Sequence, residues 1–314
     1  MEFRAFEDTD LGAYVAVRNE ADPHRLTSES AVRHADSTRA SDAMHARLMV
    51  YEGGELVGAI NLQPPLSSPQ PDESQLQISL LPAFVNRAEA VYARALEEAR
   101  RLGAKRLRAG CKEDFWYHDF LLRHGFTELE RMWDSDLELA DFDPAQFESV
   151  RERSRVAGMT VGTLAQFVGD PEFLKRYYDA TVEILRDVPA ALPFEPWSFE
   201  LWQKRVPEDP DFLPEAHFIG FVNGEIAGVS QLARSSRTVT LQTGLTGVRA
   251  QHRHQGIAFS LKLEAAQYAK AQGYERVRTN NHVNNRAMLA INEAMGFVKE
   301  PAMVFLRKEL EGAD

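Results

Sequence analysis

VRAQHRHQGIA, the stretch from Val248 to Ala258, lies between a predicted strand and a predicted helix. The strand is indicated by the Thr-, Val- and Leu-rich segment that begins at Thr238, and the helix by apolar residues at helical spacing over residues 259–272. A strand-to-helix turn directs backbone N–H groups and the positive end of the helix dipole at one spot, and a glycine there lets the backbone approach a ligand closely. We therefore predict that the turn around Gly256 binds a diphosphate.

The spacing of this turn distinguishes it from the nucleotide-binding loops of other folds. It matches neither the GxGxxG of dinucleotide-binding folds nor the GxxxxGK[ST] of nucleoside triphosphatases. The pattern R-x-x-G-x-A, set by Arg253, Gly256 and Ala258, resembles the acyl-CoA pyrophosphate loop of the GCN5-related N-acetyltransferase (GNAT) superfamily, whose usual form is [QR]-x-x-G-x-[GA]. The order of the following segments is also similar to that family: a strand at 275–279, an Asn-rich loop, a helix at 286–295 and then Gly-Phe.

Glycine landmarks recur at a nearly constant distance along the chain. The segment GGELVGAINL in the first half matches NGEIAGVSQL in the second, with Gly58 and Gly228 separated by 170 positions. The other landmark pairs, at offsets of 170, 170 and 171, are Gly54 and Gly224, Gly103 and Gly273, and Gly125 and Gly296. Self-similarity of this kind indicates a tandem duplication of one fold.

The repeat and the length together predict the domain organisation. With 314 residues, the chain suits two domains of ordinary size. We expect two tandem GNAT folds of the mixed α/β (α+β) class, each with a mostly antiparallel sheet, a parallel pair of splayed strands and flanking helices. A degenerate N-terminal domain is placed at 1–140, ending in a hairpin, a linker at 141–157, and an acyl-CoA-binding C-terminal domain at 158–314.

The corresponding turn in the first half lacks the features of a phosphate-binding loop. At the repeat offset, Val85 stands near the position of Arg253. Ala88 stands near that of Gly256, with Glu89 beside it. A carboxylate repels a diphosphate, and Ala88 carries a Cβ atom where the backbone should approach the phosphates. We predict that the first domain binds acyl-CoA weakly or not at all.

The resemblance implies how the cosubstrate, acetyl-CoA, is held. In the family, the pantetheine arm pairs with the first of the two splayed strands, and Gly244 and Gly247 are suited to the bulge that such a splay requires. Asn285 resembles the family's Asn that bonds the arm, and it is also placed to cap a helix. The implied cofactor-binding residues are Val248, Arg249, Arg253, His254, Gln255, Gly256, Ile257, Ala258, Asn285 and Asn292.

The resemblance also implies direct attack of a neutral amine on the thioester, with a strand N–H polarising the carbonyl. A base or a water chain must take the proton from the amine. The side chains that remain open for this role are Glu183, Asp187, Glu195, His217 and His282. An acyl-cysteine route is not expected, because Cys111 belongs to the other half.

The chain departs from the family at the acid that protonates the leaving thiolate. Many GNAT enzymes have a Tyr four residues before Gly-Phe, where this chain has Asn292. Asn is not a general acid, so we expect Asn292 to hydrogen-bond the CoA sulfur or arm. Either the proton comes from water, or Tyr268 or Tyr178 supplies it, or catalysis is lost.

Composition limits the classes of partner and site. A formal net charge of -11 argues against a nucleic-acid or anionic-membrane partner, because both need a basic surface. The acidic amino terminus lacks a signal-peptide core and no run of eighteen apolar residues occurs, so we predict a cytoplasmic protein. With Cys111 as the only cysteine, neither an internal disulfide nor a Cys-based zinc site is expected, and we predict no metal.

These observations predict an N-acetyltransferase that acts on the primary amine of a small molecule through its C-terminal domain, as a monomer or a homodimer. The plan of two such domains with an active second one is similar to that of mycothiol synthases. A protein N-terminal acetyltransferase is an alternative within the same class. The alternative from another class is a catalytically silent acyl-CoA-binding or scaffolding protein.

Overall fold

The computed structural model describes residues 1–40, 43–65, 70, 72–192, 194–235 and 239–310. The chain divides into two compact units. Unit 1 comprises Met1–Arg131, Ala191–Glu195 and Ala302–Asp314. Unit 2 comprises Met132–Ala190 and Pro196–Pro301. Neither unit is a continuous stretch of sequence.

Apart from the helix at Glu148–Val156 and the short strand at Val298–Lys299, strands and helices follow the same order in the two halves of the chain. The strands are β1 (Glu2–Ala5), β2 (Ala46–Glu52), β3 (Glu55–Gln63), β4 (Glu73–Leu80), β5 (Arg106–Lys112), β6 (Thr127–Glu138), β7 (Met159–Thr163), β8 (Phe212–Val222), β9 (Glu225–Arg234), β10 (Thr240–Val248), β11 (Arg276–His282), β12 (Val298–Lys299) and β13 (Met303–Glu309). The α-helices are α1 (Leu11–Ala21), α2 (Glu29–Ser37), α3 (Ala88–Arg101), α4 (Trp116–Arg123), α5 (Glu148–Val156), α6 (Pro171–Arg186), α7 (Phe199–Arg205), α8 (Ile257–Ala271) and α9 (Arg286–Met295). Thr238, the predicted start of β10, lies outside the described residues.

Unit 1 is built on a mixed sheet whose strands lie in the order β1-β2-β3-β4-β5-β13. The described pairs are antiparallel except β4 and β5, which run parallel. The chain passes from β4 to β5 through α3. This segment forms a helix that packs on the sheet because its apolar residues recur at helical spacing and are buried. These residues are Ala88, Val91, Tyr92, Ala95 and Ala99.

Unit 2 repeats this arrangement with strands in the order β6-β11-β10-β9-β8-β7, of which β6 contributes residues 132–138. The described pairs are antiparallel except β10 and β11, which run parallel and are connected through α8. Both units thus contain the parallel strand pair that the sequence predicts, and the mixed α/β class is confirmed.

The closing strand of each unit comes from the opposite half of the sequence. β13, at the carboxyl end of the chain, pairs with β5 from Met303 opposite Lys112 to Glu309 opposite Arg106. β6, at the end of the first half, runs as a single strand into unit 2 and pairs there with β11. The hairpin expected at the end of the first half is wrong, because residues 127–138 form one continuous strand whose second part pairs with β11. The predicted domain boundaries near residues 140 and 158 follow the sequence repeat, and they stay a prediction.

Close backbone approach explains one pair of repeated glycines. A Cβ atom at Gly58 would lie 2.4 Å from the carbonyl oxygen of Ser79, and one at Gly228 would lie 2.8 Å from that of Gly247. Each glycine directly follows a register shift in its hairpin. The repeat offset therefore preserves a place where two strands come too close for any side chain.

Helices cover both faces of each sheet. In unit 2, Ile219 packs with α6 while its neighbour Phe218 packs in the cluster that contains α8 residues. In unit 1, Met49 packs with α1 and its neighbour Val50 with α3. Successive residues of a strand point to opposite faces, so each sheet is buried between two helix layers. Among the described residues, no helix is both long enough and apolar enough to cross a membrane.

Candidate active site

The parallel strands of unit 2 pair only at their beginnings. The described pairing joins Thr240–Gln242 to Arg276–Arg278. Beyond it, β11 continues along β6 to His282, while β10 continues along β9 to Val248. In the described part of the chain, the β11 side of β10 therefore has no pairing strand from Thr243 onwards. The splay that the resemblance implies is present.

A β-bulge interrupts β10 where the two strands separate. Its register with β9 shifts between Thr243 and Thr246. Gln231 of β9 lies opposite the extra residue, and its Oε1 accepts a hydrogen bond of 3.0 Å from the N–H of Leu245. A Cβ atom at Gly244 would come within 3.0 Å of the same oxygen. The expected bulge is confirmed, and glycine at position 244 makes room for the Gln231 side chain.

The turn from β10 to α8 contains two residues in the left-handed region. After a 3₁₀ turn at Ala250–His252, Arg253 is extended, with φ −69° and ψ 165°. His254 then has φ 63° and Gly256 has φ 79°. Left-handed residues in such a turn direct neighbouring N–H groups into a concave anion-binding surface. α8 begins directly after Gly256, so its unpaired N–H groups and positive dipole end face the same region.

A cavity of about 580 Å³ opens in front of this turn. Its walls are the end of β10, the turn itself, the end of α6 and the first turns of α8 and α9. The expected cofactor-binding residues that line it are Val248, Arg253, His254, Gly256, Ile257, Ala258 and Asn285. The structure therefore gathers most of the residues that the motif singled out.

Arg253, the first residue of the motif, ties the turn to its surroundings. Its Nε donates to the carbonyl oxygen of Val248 at 3.2 Å. Its Nη2 forms an ion pair with the carboxylate of Asp187, at the end of α6. Asp187 lines the same cavity. Arg253 thus holds the turn in place, and a carboxylate already offsets its charge.

Of the described residues expected to bind the cofactor, Arg249, Gln255 and Asn292 do not line this cavity. Arg249 hydrogen-bonds to Glu183 at 2.9 Å and lines a separate cavity of about 360 Å³. It starts the 3₁₀ turn, and its second contact is with the carbonyl oxygen of Ile226 on β9. Residue spacing along a motif does not specify the side to which each side chain points.

The two asparagines of the α9 region differ in their position relative to the cavity. Asn285 caps α9, accepting from the N–H of Met288 at 3.4 Å, and it also lines the cavity. Asn292 is 2% exposed, and its Nδ2 donates to the Oδ1 of Asn281 at 2.6 Å. The Oδ1 of Asn292 has no hydrogen-bond partner among the described residues. Asn292 therefore offers a buried acceptor and no acidic proton.

The structure places the proposed bases in different surroundings. Glu183 pairs with Arg249 and lines the separate cavity. Glu195 is exposed and belongs to unit 1. Asp187 lines the cavity in front of the turn, where it pairs with Arg253. A catalytic role for Glu183 or Glu195 stays a prediction, and neither lines that cavity.

A buried hydrogen-bond chain links His217 to the bulge of β10. Gln231, which accepts from Leu245, donates through Nε2 to the hydroxyl of Tyr177 at 2.7 Å. The hydroxyl lies 3.0 Å from Nδ1 of His217. Burial lowers the pKa of His217 to about 3, so this residue is a weak base that supports the bulge.

Neither tyrosine considered as an acid lines the cavity. The hydroxyl of Tyr178 donates to the carbonyl oxygen of Trp197. Tyr268 packs against Phe218 in the core, and burial raises its pKa. Cys111 is buried in unit 1, where burial raises the pKa of its thiol to about 12. Among the described residues, no group of His, Cys, Asp and Glu side chains is arranged to hold a metal ion.

The equivalent turn of unit 1 has a different backbone. A 3₁₀ helix at Pro82–Arg87 runs directly into α3. Arg87 at the junction has φ −93°, and none of the described residues 81–88 has a positive φ. The N–H of Ala88 donates to the carbonyl oxygen of Val85, and Arg87 pairs with Glu52 at 2.8 Å. The absence of acyl-CoA binding by this domain stays a prediction.

Sequence reasoning missed part of the cavity wall. Arg153 lines the cavity from α5, within the segment interpreted as a linker. Ile184, Met288 and Ile291 add apolar surface from α6 and α9. The available signal was the helical spacing of Val150 and Ser154, the buried residues of α5. That spacing indicates a packed helix within the segment interpreted as a linker.

Comparisons with known proteins agree with this geometry. Residues 181–297 match the model of the Acetyltransferase (GNAT) family. The matched segment includes the bulged strand, the turn at Gly256, α8 and α9. Among curated protein sequences, none matches this chain.

Solved structures share the fold over nearly the whole chain. A tandem GNAT protein from the clavulanic acid biosynthesis pathway has a TM-score of 0.73 and 18% identity, covering 98% of each chain. A GCN5-related N-acetyltransferase from Sphaerobacter thermophilus has a TM-score of 0.69 and 18% identity, covering 98% of this chain and 95% of its own. A GCN5-related glucosamine N-acetyltransferase region in a fungal multi-domain GH3 β-N-acetylglucosaminidase has a TM-score of 0.71 and 13% identity, covering 98% of this chain and 38% of its own.

Identities this low show a common fold and carry no information on the substrate. The family match in the second half and the fold match over both halves agree with the repeat in the sequence. Residues 181–297 thus match the GNAT acetyltransferase family, and the whole chain has the fold of tandem, two-domain GNAT structures.

Proposed function

We propose that this protein transfers an acetyl group from acetyl-CoA to the primary amine of a small molecule, with the active site in unit 2. The observation that carries the proposal is the cavity in front of Gly256, where the open edge of β10, the left-handed turn and the beginning of α8 meet. These are the features that a diphosphate and an extended, amide-bearing arm require.

Each wall of the cavity supports one part of the bound cosubstrate. The N–H groups of the turn and of the first turn of α8 bind the diphosphate. The unpaired edge of β10 hydrogen-bonds to the amide groups of the pantetheine arm, and Asn285 contacts the arm from the other side of the cavity. An N–H near the bulge donates to the thioester carbonyl oxygen, on which negative charge develops during the reaction.

The reaction is a direct transfer between two bound substrates. The amine nitrogen attacks the thioester carbonyl, a C–N bond forms, and the C–S bond breaks to release CoA as a thiolate. The amine must lose a proton and the thiolate must gain one. Because Asn292 has no acidic proton and Asp187 is paired with Arg253, we expect water in the open cavity to carry both protons.

Calorimetric titration with acetyl-CoA tests the binding part of the proposal. We expect saturable binding with one equivalent per chain, because only the turn of unit 2 has the left-handed residues that a diphosphate site needs. Two equivalents per chain would show that the turn of unit 1 also binds. If the wild-type protein does not bind acetyl-CoA at all, the proposed function is wrong.

A catalytically silent acyl-CoA-binding protein is a second candidate, favoured by Asn292 at the position of the family's acid. Release of free thiol from acetyl-CoA, followed across small primary amines, amino sugars and peptide α-amines, separates the two functions. An enzyme releases thiol faster than hydrolysis with at least one amine and forms the acetylated product. Release that never exceeds hydrolysis, despite binding, supports the silent candidate.

A further inference from the structure

α5 is clamped along α8 and reaches the phosphate-binding turn. The hydroxyls of Ser154 and Ser260 lie 2.7 Å apart in a buried contact. One helical turn earlier, Arg151 donates to Gln267. The carbonyl oxygen of Val150 lies 3.4 Å from the position that a Cβ atom of Gly256 would occupy. The helix is therefore a wall of the site, although the sequence places it in the segment between the two repeats.

Arg153 is the residue of α5 that faces the turn. Its Cβ lies 3.8 Å from the Cβ position of Gly256, and its side chain lines the cavity. The flanking arginines of the same helix form ion pairs, Arg151 with Glu264 at 3.5 Å and Arg155 with Glu152 at 2.6 Å. In the part of the chain that the structure describes, Arg153 has no such pair. An exposed guanidinium beside the turn is thus left available for a ligand.

The charge balance of the cavity also requires a cation of this kind. Arg253, the motif arginine, is already paired with Asp187, and that carboxylate lines the cavity. A diphosphate entering the cavity brings further negative charge, which the helix dipole offsets only in part. A guanidinium matches phosphate oxygens with two parallel N–H groups, and it does so better than an ammonium group.

We propose that Arg153 binds the diphosphate of the acyl-CoA cosubstrate and so makes the inter-repeat helix α5 part of the binding site. This inference rests on the proposed function, because it assigns a ligand to the same cavity. It adds a binding residue that lies outside the R-x-x-G-x-A motif. It also explains why α5 is fastened to α8 beside the turn rather than left as a free connection.

Titration of Arg153→Gln with acetyl-CoA and with 3′-dephospho-acetyl-CoA tests the assignment. Loss of a charge-assisted, two-point hydrogen bond should weaken binding about 10- to 100-fold. The factor should be the same for both ligands, since both contain the diphosphate. Arg155→Gln is the matched control, because it removes an equal charge from the same helix while the wild-type residue pairs with Glu152 and Glu148. It should bind both ligands as the wild type does.

Each other outcome overturns the assignment. Wild-type affinity in Arg153→Gln would remove Arg153 from the site and leave the proposed function intact. A loss confined to acetyl-CoA would move the contact from the diphosphate to the 3′-phosphate. Equal losses in Arg153→Gln and Arg155→Gln would indicate a general effect of helix charge. Thermal unfolding of both variants checks that the fold is preserved, and failure of the wild type to bind would sink the proposed function instead.

Discussion

The turn after β10 and the turn after β4 begin alike and end differently. Arg249 starts the first with φ −58° and ψ 143°, and Leu81 starts the second with φ −54° and ψ 144°. At the junction with the following helix, Gly256 has φ 79° whereas Arg87 has φ −93°. The backbone thus has the same conformation where each turn begins and a different conformation where each turn meets its helix.

This difference decides what happens to the N–H groups of each turn. In unit 1, the 3₁₀ helix uses them internally, since Phe84 donates to Leu81 and Ala88 donates to Val85. In unit 2, His254 and Gly256 are left-handed and line the cavity, and residues in this conformation direct neighbouring N–H groups into a concave anion-binding surface. Both units have the N-terminus of a helix after the turn. The left-handed turn is the feature that distinguishes the proposed site in unit 2.

The two units also differ in what lies beside their parallel strands. In unit 1, the guanidinium of Arg25 donates to the carbonyl oxygen of Gly110 on β5 at 2.5 Å. Tyr117 is 3% exposed and belongs to the same buried cluster as Ile78 on β4. The described pairing of β4 and β5 joins Glu73–Gln75 to Arg106–Arg108, so Arg25 binds the β5 backbone beyond that pairing. In unit 2 the corresponding edge of β10 borders the cavity.

The largest expected effect comes from giving the turn of unit 2 a side chain and a carboxylate, as the turn of unit 1 has. Gly256→Glu places a side chain at a φ that disfavours it and a carboxylate beside a diphosphate. We expect acetyl-CoA affinity to fall about a thousandfold or more, equivalent to about 4 kcal/mol of binding free energy. Calorimetric titration measures the loss.

Arg87→Glu, at the junction of the other turn, is the matched control. It replaces a residue that pairs with Glu52 on the surface of unit 1. Its affinity for acetyl-CoA should equal that of the wild type. Retention of binding by Gly256→Glu, or a large loss in Arg87→Glu, would contradict the contrast between the two turns.

The sequence predicted those features that depend on a short, recognisable pattern of residues. The glycine offsets predict the two folds, and the R-x-x-G-x-A motif contains five of the residues that line the cavity: Arg253, His254, Gly256, Ile257 and Ala258. The strand exchange could not be predicted, because β6 and β13 are each compatible with a place in either sheet. Arg249 and Arg153 show the same limit for the site. The stretch from Val248 to Ala258 includes Arg249, which lines another cavity, and omits Arg153, which reaches the turn through the packing of α5.

The two units share a glycine at which two strands approach each other closely. Gly228→Ala and Gly58→Ala each push a Cβ atom into a strand carbonyl oxygen, which cannot move as a flexible side chain can. Overpacking of this kind costs about 1–3 kcal/mol. We expect Gly58→Ala to be the more destabilising, because its contact of 2.4 Å is closer than the 2.8 Å at Gly228. Denaturant unfolding, followed separately for each unit by hydrogen exchange, measures both.

Gly169→Ala is the control for these two substitutions. Gly169 has no atom within 4 Å of its Cβ position and its φ is not in the left-handed region. Its stability should change by less than about 0.5 kcal/mol. If Gly58→Ala and Gly228→Ala were equally harmless, close approach would not be the reason that both halves keep a glycine there.

A second internal contrast lies on the paired strands that precede each splay. In unit 1, Arg47 is buried opposite Asn61 and bonds to Asp36 at 3.0 Å. In unit 2, His217 stands at the equivalent position, opposite Gln231. One unit therefore stabilises this place with a permanent charge and its counter-ion. The other uses a neutral imidazole, whose folded form resists protonation.

The last prediction turns that contrast into a dependence of stability on pH. Because the pKa of His217 is about 3 in the folded protein and about 6.5 when unfolded, the unfolded chain binds a proton that the folded one does not between these values. His217 therefore lowers stability as pH falls from about 6.5 towards 3, by up to about 1.4 kcal/mol per pH unit. His217→Gln should remove this slope, so it should lose less stability than the wild type between pH 7.5 and pH 5.

Tyr177→Phe removes the hydrogen bond to Nδ1 but keeps the imidazole buried, so it should be less stable at pH 7.5 and retain the wild-type slope. Parallel pH profiles for the wild type and His217→Gln would show that the imidazole is not held neutral by burial, and the contrast with Arg47 would fail.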